Sequence, residues 1–290
     1  MRLLFVHGRG QGGKNVKELK ETWIATLRKG YQAASISFPE PLSVDFPYYG
    51  DALDAQVAKA TLPLPKDVIS KGDAAATPYE EFLRSSLKEM QHSAHISDDE
   101  VVAEAGPIPA TEKGIQNWRL TQAIARLLDK RLGNLTSRTI ETFLRDVYLY
   151  ISNRSVAKEI NAIVSDKLTD EPTVVVAHSL GTVVAYKVLV ERRASLKLRR
   201  YVTVGSPLGI RAIASRLGVL QYPRADLVWY NAYDQRDIVA LNPLADPHFT
   251  TTPAISNYDA IRNATDNRHG IIGYLNDASV AKCIAEGLAT

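Results

Sequence analysis

The spacing of apolar residues divides this chain into three stretches. Leu3-Leu4-Phe5-Val6 is a continuous apolar run, as in a strand covered on both faces. A glycine-rich segment follows, His7-Gly8-Arg9-Gly10-Gln11-Gly12-Gly13. The pattern then turns helical. Val16, Leu19, Trp23 and Leu27 fall on one face, which predicts an amphipathic helix over Asn15 to Lys29. Ala33 to Phe38 predicts a second strand, closed by Pro39 and Pro41. Strand, helix, strand is a βαβ unit, whose two strands pair in parallel.

From Pro41 to about Ser152 that rhythm stops. The segment opens with Pro41, Pro47, Tyr48 and Tyr49, then Pro63 and Pro65. Helical periods follow near Tyr79 to Gln91 and Ile115 to Leu132. Ile140, Phe143, Leu144, Val147, Tyr148 and Ile151 recur at i, i+3, i+4, i+7, i+8 and i+11, the clearest amphipathic helix here. After Asn153 the α/β rhythm returns. Val156, Ile160, Ile163, Val164 and Leu168 mark a helix, and Thr173 to Ala177 a buried strand. Gly181 to Arg192 is a helix, Tyr201 to Val204 and Leu227 to Asn231 are strands, and Ile271 to Ala289 is a helical tail. The expected fold is α/β: a mostly parallel, doubly wound sheet with helices on both faces. Its core is residues 1–40 and 153–290, with 41–152 a mostly helical cap insertion.

Composition narrows the function classes. Hydrophobic residues are 45% and charged residues 23% of the 290, a folded globular balance that excludes disordered and coiled-coil classes. No apolar run approaches the roughly 18 residues of a membrane span, so no integral membrane association is expected. The net charge of +3 comes from 35 basic and 32 acidic residues, a near-balance. The one dense basic cluster, Arg192, Arg193, Lys197, Arg199 and Arg200, reads as a solvated helix end and turn, so no nucleic-acid partner is expected. The single cysteine, Cys283, excludes an intrachain disulfide and sits in an apolar helical context, as a buried hydrophobe would. The opening apolar run is too short for a signal peptide, and a cytoplasmic location is expected. His92 and His95 with Asp98, Asp99 and Glu100 have no second ligand pair at metal-site spacing and read as a polar loop. The glycine-rich segment matches neither G-x-x-x-x-G-K-[ST] nor G-x-G-x-x-G, which argues against a nucleotide site.

The segment Val174 to Thr182 carries the chemistry. A buried strand runs into a sharp turn with Ser179 at its apex, and a helix begins at once. Such a turn is strained and needs small residues on either side of the serine, here Ala177 and Gly181. The alternative role for Ser179 is a plain helix N-cap. With His178 and Leu180 the turn resembles the nucleophile elbow of the α/β-hydrolase superfamily, with alanine in place of the usual first glycine. The resemblance is to its serine esterase and lipase-like branch, akin to inositol deacylases, and covers about 1–40 and 153–290. Phe143 to Tyr150 resembles a stretch some relatives carry before the elbow helix.

The resemblance implies a chain order of serine, acid, histidine. It points to Asp237 as the acid, with Asp234 the rival, and to His269 as the base, with His248 the competitor. His178 belongs to the elbow, its ring turned away from the nucleophile. The oxyanion donors it implies are the backbone N–H groups of Leu180 and Arg9, the latter in an oxyanion loop formed by His7, Gly8, Arg9 and Gly10. The Arg9 side chain either binds an anionic substrate group or faces solvent. The implied activity is hydrolysis of a carboxylic ester, from a small molecule, a lipid or a thioester, with no metal or cofactor. An acyltransferase with the same three residues, or a silent binding module, are the alternatives. Tyr48, Tyr49 and Trp118 either line an acyl pocket or pack within the cap. The oligomeric state is left open.

Overall fold

The computed structural model describes residues 2–60, 62, 76–107, 113–132 and 137–289. The opening apolar run forms β1 (Arg2–Val6), with Leu3, Leu4, Phe5 and Val6 wholly buried. Asn15 caps the helix that follows, α1 (Val16–Ala33), its side chain accepting from the N–H groups of Lys17 and Glu18. Then come β2 (Ser43–Asp45), α2 (Gly50–Lys59), α3 (Pro78–Ser93), α4 (Asp98–Ala105), α5 (Lys113–Leu132), α6 (Ser137–Ser152) and α7 (Arg154–Ser165). The second half contains β3 (Thr173–His178), α8 (Leu180–Arg192), β4 (Leu198–Val204), α9 (Arg211–Ala214), β5 (Val228–Ala232), β6 (Ser256–Tyr258), α10 (Ile272–Leu275) and α11 (Ala278–Ala289).

The six strands form one sheet in the order β2-β1-β3-β4-β5-β6, and every adjacent pair is parallel. The chain moves outward from β1 to β2, then returns to the other side of β1 to lay down β3. That reversal makes the β1/β3 junction the topological switch point, where loops diverge beyond the carboxyl ends of the strands and leave a crevice. The register aligns those ends: Val6 opposite Ala177, His178 opposite Val204, and Val204 opposite Ala232.

Alternation of period two sorts the strand residues between two apolar cores. Leu3, Phe5, Val174, Val176, Val202 and Val204 pack beneath α1, α10 and α11. Leu4, Val6, Val175, Ala177, Tyr201 and Trp229 face the other way and share one continuous cluster with residues of α2 to α9. Trp229 centres that side, its ring 4.9 Å from Tyr201 and 5.7 Å from both Tyr186 and Phe249. Its indole N–H donates to Thr203 Oγ1 at 3.1 Å.

Three expectations are corrected. Ala33 to Phe38 is not a strand. Helix α1 runs to Ala33 and ends with Ser35 at φ 57°, and the Ile36 N–H returns to the Tyr31 carbonyl. This is a left-handed helix cap with its apolar contact, for Phe38 folds back onto Tyr31 at 5.0 Å. The alternation of Ile36 and Phe38 imitated a strand. The second strand is β2 instead, which lies inside 41–152, so the sheet takes an edge strand from the stretch read as a mostly helical cap. The helical tail is broken at Asp277, whose carboxylate caps α11 by accepting from the N–H groups of Ser279 and Val280.

Other residues have structural roles. Arg192 donates to the carbonyls of Ser165 and Leu168, and Arg200 pairs with Glu286. Cys283 is buried, and burial pushes its thiol up. Ser97 and Glu100 form a capping box on α4, with Asp98 and Asp99 in its first turn, where acids favour the helix dipole. Among the described residues, no helix is long and apolar enough to cross a membrane.

Trp229→Ala should lower the free energy of unfolding by about 3–5 kcal/mol. The readout is a lower urea midpoint at unchanged m-value.

Candidate active site

Ser179 sits between β3 and α8 at φ 55° and ψ −131°, a backbone region costly for a residue with a Cβ. The surrounding structure holds it there. Its N–H donates to the Val204 carbonyl on β4 at 3.2 Å, and its own carbonyl accepts from the Thr182 N–H and hydroxyl at 2.9 and 2.8 Å. Position 181 has no room for a side chain. A Cβ there would lie 2.4 Å from the carbonyl oxygens of both Val6 and His7. Helix α8 therefore starts directly against the end of β1. Ala177 is fully buried beneath the turn. Gly8 lies over the serine from the other side, where a Cβ would be 2.8 Å from Ser179 Cβ.

His269, in the loop before α10, reaches this turn. Its Nε2 is 2.8 Å from Ser179 Oγ, and its Nδ1 is 2.7 Å from Asp237 Oδ2. Asp237 lies in the loop after β5 and is fully buried. A carboxylate only accepts, so Nδ1 carries the proton and Nε2 is free to accept from the serine hydroxyl. Asp237 Oδ1 accepts the Val239 N–H at 3.0 Å, and Oδ2 also accepts the Tyr274 hydroxyl at 2.5 Å. Burial, then the charge of Asp237, pushes the Tyr274 phenol well above its ordinary range, which keeps it a donor.

The competing residues do other work. Asp234 is fully buried but accepts from the backbone and side chain of Arg236 and from the Asn263 N–H at 2.8 Å. Burial works to raise its pKa, but the bonds from Arg236 and Asn263 outweigh it and leave the carboxyl below its ordinary value. It ties the loop after β5 to residue 263. His248 pairs with Glu89 of α3 at 3.1 Å. His178 makes no bond to Ser179. Its Nε2–H donates to the carbonyl of His269 at 2.7 Å, and the two rings are 4.7 Å apart. Burial, then the neighbouring His269, holds its pKa well below the usual value, so it serves as a neutral anchor for the His269 backbone.

The loop after β1 is pinned by its carbonyls. His7 Nδ1–H donates to the Gly8 carbonyl at 2.7 Å, while its Nε2 accepts the Tyr49 N–H at 3.1 Å. The Tyr49 hydroxyl holds the His7 carbonyl, and Gln11 Nε2 holds that of Arg9 at 3.1 Å. Among the described residues, the N–H groups of Arg9 and Leu180 have no protein acceptor. The Arg9 side chain lines the cleft and is 24% exposed. Its Nε donates to the buried Asp146 of α6 at 2.5 Å.

A cleft of about 390 Å³ opens beside Ser179, within the usual range for small-molecule sites. Its apolar lining includes Leu19 and Trp23 of α1, Ile140 and Phe143 of α6, Ile238, Val239, Ile271 and Ile272. Tyr48, Tyr49 and Trp118 are not among its lining residues. Tyr48 bonds the Gln11 carbonyl at 2.7 Å, Tyr49 stacks on His7 at 4.1 Å, and Trp118 packs into the helical cluster. Among the described residues, no group of three or more His, Cys, Asp or Glu side chains is arranged to hold a metal ion.

Two contributors escaped the sequence reading. Gly205 has φ +57°, and a Cβ there would stand 3.0 Å from the Tyr274 ring and 3.2 Å from His269 Cε1. Tyr274 was only a residue of the helical tail. For Gly205 the signal was Gly-Ser-Pro at a strand end; for Tyr274 there was none. Comparison of the chain with protein-family models, with curated proteins and with solved structures found no match to any of them.

Burial lowers His7 from 6.5 to about 4. Between those values the unfolded chain binds a proton that the folded protein refuses, so stability falls as pH drops through that window. Above about pH 6.5 the residue contributes no pH dependence. The difference in unfolding free energy between wild type and His7→Asn should therefore shrink by about 3 kcal/mol from pH 7 to pH 4. Urea titrations across that range would measure it.

Proposed function

We propose that this protein is a serine hydrolase of the α/β-hydrolase type that cleaves a carboxylic ester, lipid esters and thioesters included. One observation carries the reading: an unbroken hydrogen-bond chain from Ser179 Oγ through His269 to Asp237, at the switch point of a parallel sheet. In this mechanism Ser179 attacks the acyl carbonyl, and His269 Nε2 takes the hydroxyl proton. Asp237 stabilises the imidazolium and holds the ring in place, with Tyr274 holding Asp237. The N–H groups of Leu180 and Arg9 receive the oxyanion, aided by the positive end of α8. His269 returns the proton to the leaving alcohol or thiol. Water, deprotonated by the same imidazole, then hydrolyses the acyl-enzyme.

The apolar lining of the cleft fits an acyl chain. The helices of residues 78–152 act as the cap in this reading, since Ile140 and Phe143 of α6 form part of that lining.

Treatment with a fluorophosphonate should label Ser179, as identified by mass spectrometry, and Ser179→Ala should lose the label. On p-nitrophenyl butyrate, Ser179→Ala and Asp237→Asn should each lower kcat by about 10³-fold or more. Asp234→Asn should instead lower the thermal midpoint and change kcat by less than about tenfold. A folded wild-type protein that neither labels nor turns over the ester would overturn the reading.

A further inference from the structure

The loop after β1 is held from within itself, by Tyr48 and Tyr49, and by Asp51 of α2, which accepts the Gly13 N–H at 2.7 Å. One contact is different. Arg9 Nε reaches across to Asp146 Oδ2 at 2.5 Å, and the Asp146 side chain is only 3% exposed. The other oxygen of Asp146 accepts from Arg145 at 3.2 Å. Asp146 lies on α6 three residues after Phe143 and six after Ile140, both of which line the cleft. The same helix thus contributes to the cleft wall and grips the residue whose backbone N–H faces no protein acceptor.

We propose that Asp146 is a positioning residue for the reaction: through Arg9 it sets the place of the loop that receives the oxyanion. This rests on the hydrolase reading above. The physical argument has two parts. Replacing a buried ion pair with packed apolar groups is often neutral or stabilising, so stability alone gives little reason for this one. Oxyanion donors act through fixed geometry, and a donor displaced by about 1 Å can lose about 10²-fold in rate. The Gly8 and Arg9 carbonyls are tied down by His7 and Gln11, which Tyr49 and Tyr48 hold in turn. The Asp146 contact adds a tie from α6 to the side chain of Arg9, the residue that carries the N–H donor.

The test combines kinetics and amide exchange on Asp146→Asn, Arg9→Met and the double variant, each first shown to be folded by circular dichroism. On p-nitrophenyl butyrate, Asp146→Asn should lower kcat about 10–100-fold while KM changes less than about threefold. Arg9→Met keeps the backbone N–H and should have a similar effect. The double variant should match either single one within about threefold, because both remove one contact. Hydrogen exchange of the peptide covering residues 7–14 should quicken in each variant. Arg9→Met reads the same contact from its more exposed end if Asp146→Asn does not fold. Wild-type kcat and wild-type exchange in a folded variant would overturn the proposal, as would additive losses in the double variant. If wild type shows no turnover but exchange still quickens, the hydrolase reading falls and the hold of Asp146 on the loop stands.

Discussion

Helix α8 can begin where it does only because residue 181 lacks a Cβ. At that point the helix backbone meets the carbonyls of Val6 and His7, and a single added carbon would sit 2.4 Å from each. Much else follows from this approach. It draws the turn at Ser179 up against the end of β1 and brings Gly8 over the serine. It forces the chain into the left-handed turn at Ser179, which β4 then supports through Val204. The parallel register places the ends of β1, β3, β4 and β5 in one row, so the loops that leave them converge. A strained residue persists only where its neighbours over-determine it, and here β1, β4 and α8 do so together.

Three histidines near this turn differ in role because they differ in partner. His7 is buried and His178 half-buried, both bond to backbone groups, and desolvation keeps both neutral. Each fixes a loop, the first at Gly8 and the second at His269. His269 alone stands between a hydroxyl and a carboxylate. The same side chain thus serves as buttress, anchor and proposed base. The choice is made by which acceptor faces each ring nitrogen.

Much of the fold was legible locally. Helices α1, α6 and α7 declare themselves by repeats of three and four residues, and β1 and β3 by unbroken apolar runs. Two strands were not legible. At three residues each, β2 and β6 carry too little pattern, and they exist because a neighbouring strand offers hydrogen bonds at the right height. The segment Ala33 to Phe38 misled for the same reason. Two alternating apolar residues satisfy a strand pattern and a helix cap equally, and Tyr31 supplied the deciding contact.

The sequence by itself determined the α/β alternation, the turn at Ser179 and the need for small residues beside it. These depend on sterics within a few residues, which composition at those positions records directly. Tertiary structure decided which acid and which histidine meet the serine, and what lines the cleft. Asp234 and Asp237 lie three residues apart in one loop and look alike as sequence. They part because one faces Arg236 and the Asn263 N–H while the other faces His269 and Tyr274. Those partners come from distant segments of the chain, and only the packing of α10 against α1 and the end of the sheet brings them within hydrogen-bond reach.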